Sequence, residues 1–206
     1  MGKQRFSDES NDLADYPPTW AKAWGHLHTI TKHKMLVMVH CFKVGLYKQG
    51  LLHDLSKYTP TEFMTGARFY TGVRSPNAVE RRVRGVSEAW CHHKGRNRHH
   101  FEYWMDLAGP DDPRWVGKPM PTRYIVEMFC DRVAACKVYL GSDYTDSSAL
   151  EYFQQGKDAD FVHPDSAALL VRMLTLLAEQ GEDVAFATIR RDIVKARYAA
   201  GECARF

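Results

Sequence analysis

Gly50-Leu51-Leu52-His53-Asp54-Leu55-Ser56-Lys57 sets an imidazole directly before a carboxylate in an otherwise apolar segment. The two side chains can offer one nitrogen and one oxygen to the same cation, a pairing that suits Mn, Fe, Co, Ni or Zn. Neighbouring residues on a helix point about 100° apart. Both therefore reach one ion only near a helix end or across a cleft between helices. Leu51, Leu52 and Leu55 predict that the pair is buried among apolar groups, and a buried charge is expensive unless it is paired or metal-bound. A His-Asp dipeptide alone is a weak signal, so its weight comes from the rest of the chain.

Upstream, residues 19–50 read as helix, with Leu27, Ile30, Leu36, Val37, Val44 and Leu46 recurring at helical spacing and Gly45 and Gly50 as breaks. Downstream, Thr59-Pro60-Thr61-Glu62 reads as an N-cap, a proline at the first helical position and an acid in the first turn. That helix carries Phe63, Ala67 and Tyr70 and stops near Gly72. Residues 71–77 read as loop and 77–93 as helix, interrupted at Lys94-Gly95-Arg96-Asn97. Residues 99–107 are expected to resume helix, and the proline- and glycine-rich stretch 109–121 to be irregular. Thr122 is expected to cap a helix to Leu140, followed by helices at 150–155, 166–180 and 183–199. Sustained period-2 alternation is missing throughout. The expectation is an all-α bundle of about seven helices: a flexible N-terminal arm over 1–18, a single helical domain over 19–200 and a frayed tail over 201–206.

The 206 residues carry 28 Lys and Arg against 25 Asp and Glu, a formal net charge of +3. That balance is too mild to argue for a nucleic-acid partner. No apolar run approaches the roughly 18 residues of a membrane span, and the polar start has no signal-peptide core. The five cysteines form no CxxC pair. Together these predict a soluble, cytoplasmic chain with free thiols and no membrane association.

Three further places carry candidate chemistry. His33 has Ile30, Leu36 and Val37 at helical spacing, so it lies on an apolar face, either as a ligand or as a core histidine satisfied by a carbonyl. His40, seven residues on, shares roughly that face and is an alternative. Asp131 has Met128, Ala134, Ala135 and Val138 around it on a helix and needs a partner, either a metal or an arginine such as Arg123 or Arg132. Finally, His92-His93 and His99-His100 stand among Trp90, Phe101, Tyr103, Trp104, Lys94, Arg96, Arg98 and Glu102. Such density supports a second metal or a cationic pocket for an anionic group.

The order His33, His53-Asp54, paired histidines, Asp131 resembles the HD superfamily of metal-dependent hydrolases, whose ligands run His…His-Asp…Asp through a helical bundle. Residues 50–57, with a lysine three positions after the aspartate, look like the core of that motif. The spacing from His33 to His53 is short for the superfamily, which leaves His28 and His40 as alternatives for the first ligand. Residues 28–183 also resemble a family of uncharacterised small bacterial and phage proteins, on Gly45–Tyr58, Arg74-Ser75-Pro76-Asn77, His92–Trp104 and Glu127–Arg132. That likeness favours His33.

The HD resemblance implies one or two divalent transition metals on His33, His53, Asp54 and Asp131, with His93 and His100 as further ligands. It implies a metal-activated water that attacks a phosphate ester, with Asp54 orienting the water. Lys57 and Arg96 would stabilise the transferred group, and His92 and His99 would contact substrate. Glu102 would fix an imidazole. The implied substrate is small and phosphorylated, with nucleotides the leading class. Two other readings are a di-iron oxygenase of HD type and a non-catalytic, metal-stapled helical binding protein.

Overall fold

The computed structural model describes residues 12–156 and 160–196. The chain divides into two compact units, Met1–Thr31 with Ser56–His93 and Lys32–Leu55 with Lys94–Phe206. Among the described residues the fold is mostly helical, with eight α-helices and one small two-stranded sheet. The expected tail over 201–206 lies outside the described residues, as do residues 1–11 of the expected arm.

Unit 1 takes the start of α1 (Trp20–Val44), α3 (Pro60–Arg68), α4 (Pro76–Arg84) and nearly all of α5 (Glu88–Lys94). Of the expected arm, residues 12–18 are structured. Asp12 caps a short 3-10 turn, and Tyr16 is buried with Phe69 and Val79 in a small core. The expected N-cap at Thr59 and proline at the head of α3 are observed. The Thr59 hydroxyl donates to the Ser56 carbonyl at 2.6 Å rather than capping the helix. At Gly66 a Cβ would stand 2.2 Å from His26 Nε2, so this close approach requires glycine. The helix expected over 77–93 is two helices. Gly85 adopts the left-handed conformation (φ +79°) and ends α4. Buried Glu80 ties the pieces together by accepting from the Ser87 hydroxyl at 2.6 Å and the Glu88 amide at 3.3 Å.

Unit 2 is built around α6 (Thr122–Leu140), whose span matches the expectation, although Pro121 and not Thr122 occupies the cap position. Val126, Phe129, Cys130 and Val133 of α6 are fully buried with Val37, Cys41 and Val44 of α1 and with Leu170, Met173, Leu174 and Leu177 of α8 (Pro164–Thr188). α7 (Ser148–Gln155) packs beside α6 and α8. α8 is broken at Gly181 (φ +76°, ψ 172°), where the sequence predicts a boundary between two helices. A π-helical turn, Ile189–Lys195, follows it.

The all-α expectation fails in one place. After a 3-10 turn at Phe101–Trp104, strand β1 (Met105–Gly109) pairs antiparallel with β2 (Asp112–Gly117), where helix and then irregular chain are expected. Leu107 faces Trp115 across the ladder, and both are exposed. With no buried face the hairpin needs no alternation of apolar and polar residues, which is why it escapes a periodicity test. Of the cysteines, Cys41 and Cys130 are buried, Cys136 is half-buried and Cys91 is exposed, all as free thiols. No described helix is long and apolar enough to cross a membrane.

Candidate metal centre

Gly45 (φ +87°) ends α1 and lets the chain turn into α2 (Tyr47–Leu52). His53 is the C-cap of α2, with extended ψ of 128°, and Asp54 follows at φ +52°. Aspartate is one of the few side chains that tolerates this left-handed region. The helix end and the reversed backbone free the His-Asp pair from the divergence of neighbouring helical side chains. Lys34 of α1 fixes the turn by donating to the carbonyls of Leu51 at 2.9 Å and His53 at 2.8 Å.

Both side chains of the pair are about 2% exposed or less. The flanking leucines do not bury them: Leu51, Leu52 and Leu55 are each about half exposed, at 55%, 54% and 47%. The surroundings are polar instead. His33 Nε2 donates to Asp131 Oδ1 at 2.9 Å. His53 Nε2 lies 3.3 Å from Asp54 Oδ2 and 3.4 Å from Asp131 Oδ1. Its other nitrogen, Nδ1, donates to Glu127 Oε1 at 3.0 Å. His99 approaches Asp54 Oδ1 with Nε2 at 3.5 Å and Glu127 Oε1 with Nδ1 at 3.3 Å. The partner expected for Asp131 among the arginines is thus a pair of imidazoles.

The ligand-capable atoms of His33, His53, Asp54 and Asp131 all lie within 4.8 Å of one another. Donors about 2.0–2.2 Å from one ion stand no more than about 4.4 Å apart, so a small closure brings all four onto one cation. A second set within the same limit joins Asp54 to His99 and His100, and a third joins His53, His99 and Glu127. His53 Nε2 is buried and makes no hydrogen bond of acceptable geometry, although two carboxylates lie near it. With Nδ1 held by Glu127, Nε2 is the nitrogen on which a cation would take the place of a proton, the orientation a metal-ligating histidine takes. The buried donors fit a divalent cation.

The electrostatics agree. Burial pushes the His53 pKa down, but Asp54, Asp131 and Glu127 outweigh it and hold the imidazole well above its ordinary value. Burial pushes Asp131 up, and the neighbouring imidazoles of His33 and His53 more than reverse this, leaving it well below the usual carboxylate range. Glu127 is lowered in the same way, against burial, by His53 and His99. The raised His53 imidazole thus brings positive charge among the acids.

His28 is exposed. His40 is buried, donates Nδ1 to the Cys130 carbonyl at 3.3 Å and packs its ring against Phe186. Burial holds its pKa down at about 4, the satisfied core histidine weighed for this helix face. Arg96 is exposed on the turn after α5, and Glu102 is half-buried in the 3-10 turn. His99, expected against substrate, is instead buried with Asp54 and Glu127. In unit 1, Lys57 is half-buried. There His92 and His93 donate their Nδ1 atoms to the two oxygens of Glu62, at 2.6 and 2.7 Å. Burial raises the pKa of Glu62, and His93 and His92 more than reverse it. A hollow of about 330 Å³ in unit 2, lined by Arg172, Met173, Leu176 and Glu179 among others, involves none of these residues.

Sequence reasoning passes over three residues. Glu62 reads as a first-turn acid, and Lys34 as one of several lysines on a helix. Glu127 carries a usable signal: it stands four residues before Asp131, and like charges one turn apart on an apolar stripe call for a cation between them.

A mostly helical fold with buried imidazole–carboxylate clusters that could hold a metal ion defines the class of protein at this point. The chain belongs to the family of unknown function DUF5662, whose family model matches residues 22–176. No curated protein and no solved structure matches it.

Proposed function

We propose that the protein is a metal-dependent hydrolase of HD type acting on a small phosphate ester, with nucleotides the leading class. One observation carries this reading: His33, His53, Asp54 and Asp131 come from α1, the end of α2 and α6 to a buried spot with their donor atoms within 4.8 Å. These four residues would hold the cation, and Asp54 also belongs to the set with His99 and His100, which suits a second ion. A bound Mn, Fe, Co, Ni or Zn ion supplies an acidified water and a Lewis acid for the phosphoryl oxygen.

The chain's own groups do the rest. Glu127 takes the Nδ1–H of His53 and so aims Nε2 inward. Lys34 holds the turn that carries His53 and Asp54. Asp54 accepts a proton from, and orients, the attacking water. Arg96 would supply positive charge for the phosphoryl group. The shared Asp54 also suits a di-iron oxygenase, the second reading.

Metal analysis of protein purified without an affinity tag tests the proposal, with His53→Ala and Asp54→Ala alongside. The expected result is one or two equivalents of transition metal, lost in both variants, and turnover of a phosphate-ester panel. Two irons with dioxygen uptake and no ester turnover would favour the oxygenase. Metal without any turnover favours the binding-protein reading, and folded wild type without metal removes the basis of both enzyme readings.

A further inference from the structure

Arg98 differs from other arginines of unit 2. Arg114 and Arg191 each pair with a neighbouring aspartate. Arg98 is exposed and its partners are tyrosines. A terminal nitrogen donates to the Tyr124 hydroxyl at 3.4 Å. The guanidinium carbon lies 5.5 Å from the ring centre of Tyr103 and 6.0 Å from that of Tyr124. Its backbone is held as well, because Trp104 Nε1 donates to the Arg98 carbonyl at 2.7 Å. Arg123 lies over the Tyr124 ring at 4.8 Å and adds a second positive charge to the same aromatic support.

This places a fixed cation, with no carboxylate among its contacts, next to the metal centre along the chain. The following residue, His99, is buried against Asp54 and Glu127. Tyr124 stands three residues before Glu127, on the same helix. A guanidinium has five N–H donors in a planar fork, and two tyrosine hydroxyls leave several for a ligand. Being already immobilised, it loses little freedom when it takes an anion.

We propose that Arg98 is the residue that recognises the anion of the substrate handled at the metal centre, and that this anion is a phosphoryl group, whose oxygens match the guanidinium fork. The inference rests on the hydrolase reading. To the cations named there it adds one whose position is set by two rings and a backbone hydrogen bond.

Calorimetric titration of the purified protein with inorganic phosphate tests it. Arg98→Gln should weaken phosphate binding tenfold or more. Arg98→Lys should recover only part, because an ammonium keeps the charge but not the fork. Arg114→Gln should bind as wild type. Tyr124→Phe keeps the ring and removes the hydroxyl, so a smaller loss is expected there, in a variant whose packing is intact. Wild type without saturable binding at tens of millimolar phosphate overturns the inference, as does Arg98→Gln with wild-type affinity. Metal content separates the two ideas. Metal-free protein whose phosphate affinity depends on Arg98 overturns the hydrolase reading and leaves Arg98 as an anion-binding residue. Metal-loaded protein whose phosphate affinity ignores Arg98 overturns the Arg98 assignment alone.

Discussion

Unit 1 and unit 2 both bury acids against imidazoles, in different proportions. In unit 1 one carboxylate, Glu62, meets two imidazoles, and each oxygen takes one Nδ1–H. In unit 2 three carboxylates, Asp54, Glu127 and Asp131, crowd around His33, His53 and His99. Two of those acids stand one turn apart on α6, where like charges destabilise a helix even in water. The first arrangement is balanced by ordinary N–H donors. The second calls for positive charge at its centre, from a protonated His53 or from a divalent cation in the proton's place. The ratio of acids to histidines thus separates a structural clamp from a cation site better than the density of histidines does.

Truncating one acid in each unit gives the largest expected effects and tests the contrast directly. Asp131→Ala removes the partner of His33 and His53 inside a buried charge network, a loss of about 3–5 kcal/mol in urea denaturation with chelator present. Added metal should not restore it. Glu62→Gln keeps one acceptor and should cost less, about 1–3 kcal/mol, and metal content assigned to His33, His53, Asp54 and Asp131 under the proposed function should not change. Equal losses, or metal lost only from Glu62→Gln, would break the comparison.

The pH dependence sharpens it. His53 has a raised folded pKa, so its stabilisation is complete below about pH 6.5 and is lost as pH rises through the folded value. Asp131, Glu127 and Glu62 have lowered pKa values, so their stabilisation is present above about pH 4.5 and is lost as pH falls. Metal-free protein should therefore weaken on both sides of neutrality. His53→Gln should abolish the alkaline loss and leave the acid one. Bound metal should do the same, because it takes the neutral imidazole. Both units add an earlier acid loss. Burial, and secondarily Lys57, holds His26 of unit 1 at about 4, and burial holds His40 of unit 2 at about 4, so each costs folding roughly 3 kcal/mol between pH 6.5 and 4 at about 1.4 kcal/mol per tenfold change in proton affinity. Hydrogen exchange at pH 5 and 9 resolves the losses by unit, and an alkaline loss confined to unit 1 would contradict this account.

Much of the helical frame is legible in the sequence because the long helices bury apolar positions at helical spacing and α1, α4, α6 and α7 stop at a glycine. α6 is readable end to end, and the break in α8 is announced by Gly181. The hairpin is not readable, since Leu107 and Trp115 face solvent and leave no periodic trace. At the centre, His33, His53, Asp54 and Asp131 are found by residue type and order. Glu127 is marked only by its place one turn before Asp131, and Lys34 is hidden because its role depends on long-range contacts and nothing local marks a lysine that caps another helix. Lys34 is also the positive charge that unit 2 sets beside its surplus acids. Burial lowers its pKa, while Asp54, Cys41 and Glu127 raise it. Lys34→Met should cost about 2 kcal/mol and weaken metal binding about tenfold, read by urea denaturation and metal titration. Unchanged metal affinity would show that the turn at His53 and Asp54 holds itself.

The smallest effect concerns the leucines that make the His-Asp pair look apolar in the sequence. If charges and imidazoles, rather than Leu51 and Leu52, enclose His53 and Asp54, then Leu51→Gln and Leu52→Gln should change stability by no more than about 0.5 kcal/mol. Metal content should not move. Both side chains are more than half exposed, so the hydrophobic term available to lose is small. A loss above about 2 kcal/mol, the range of a core leucine, would mean that these side chains are covered in solution. The polar enclosure of the pair would then be only part of what keeps water from it. A neutral result places the exclusion of water on His33, His99, Glu127 and Asp131, the polar groups that surround the pair.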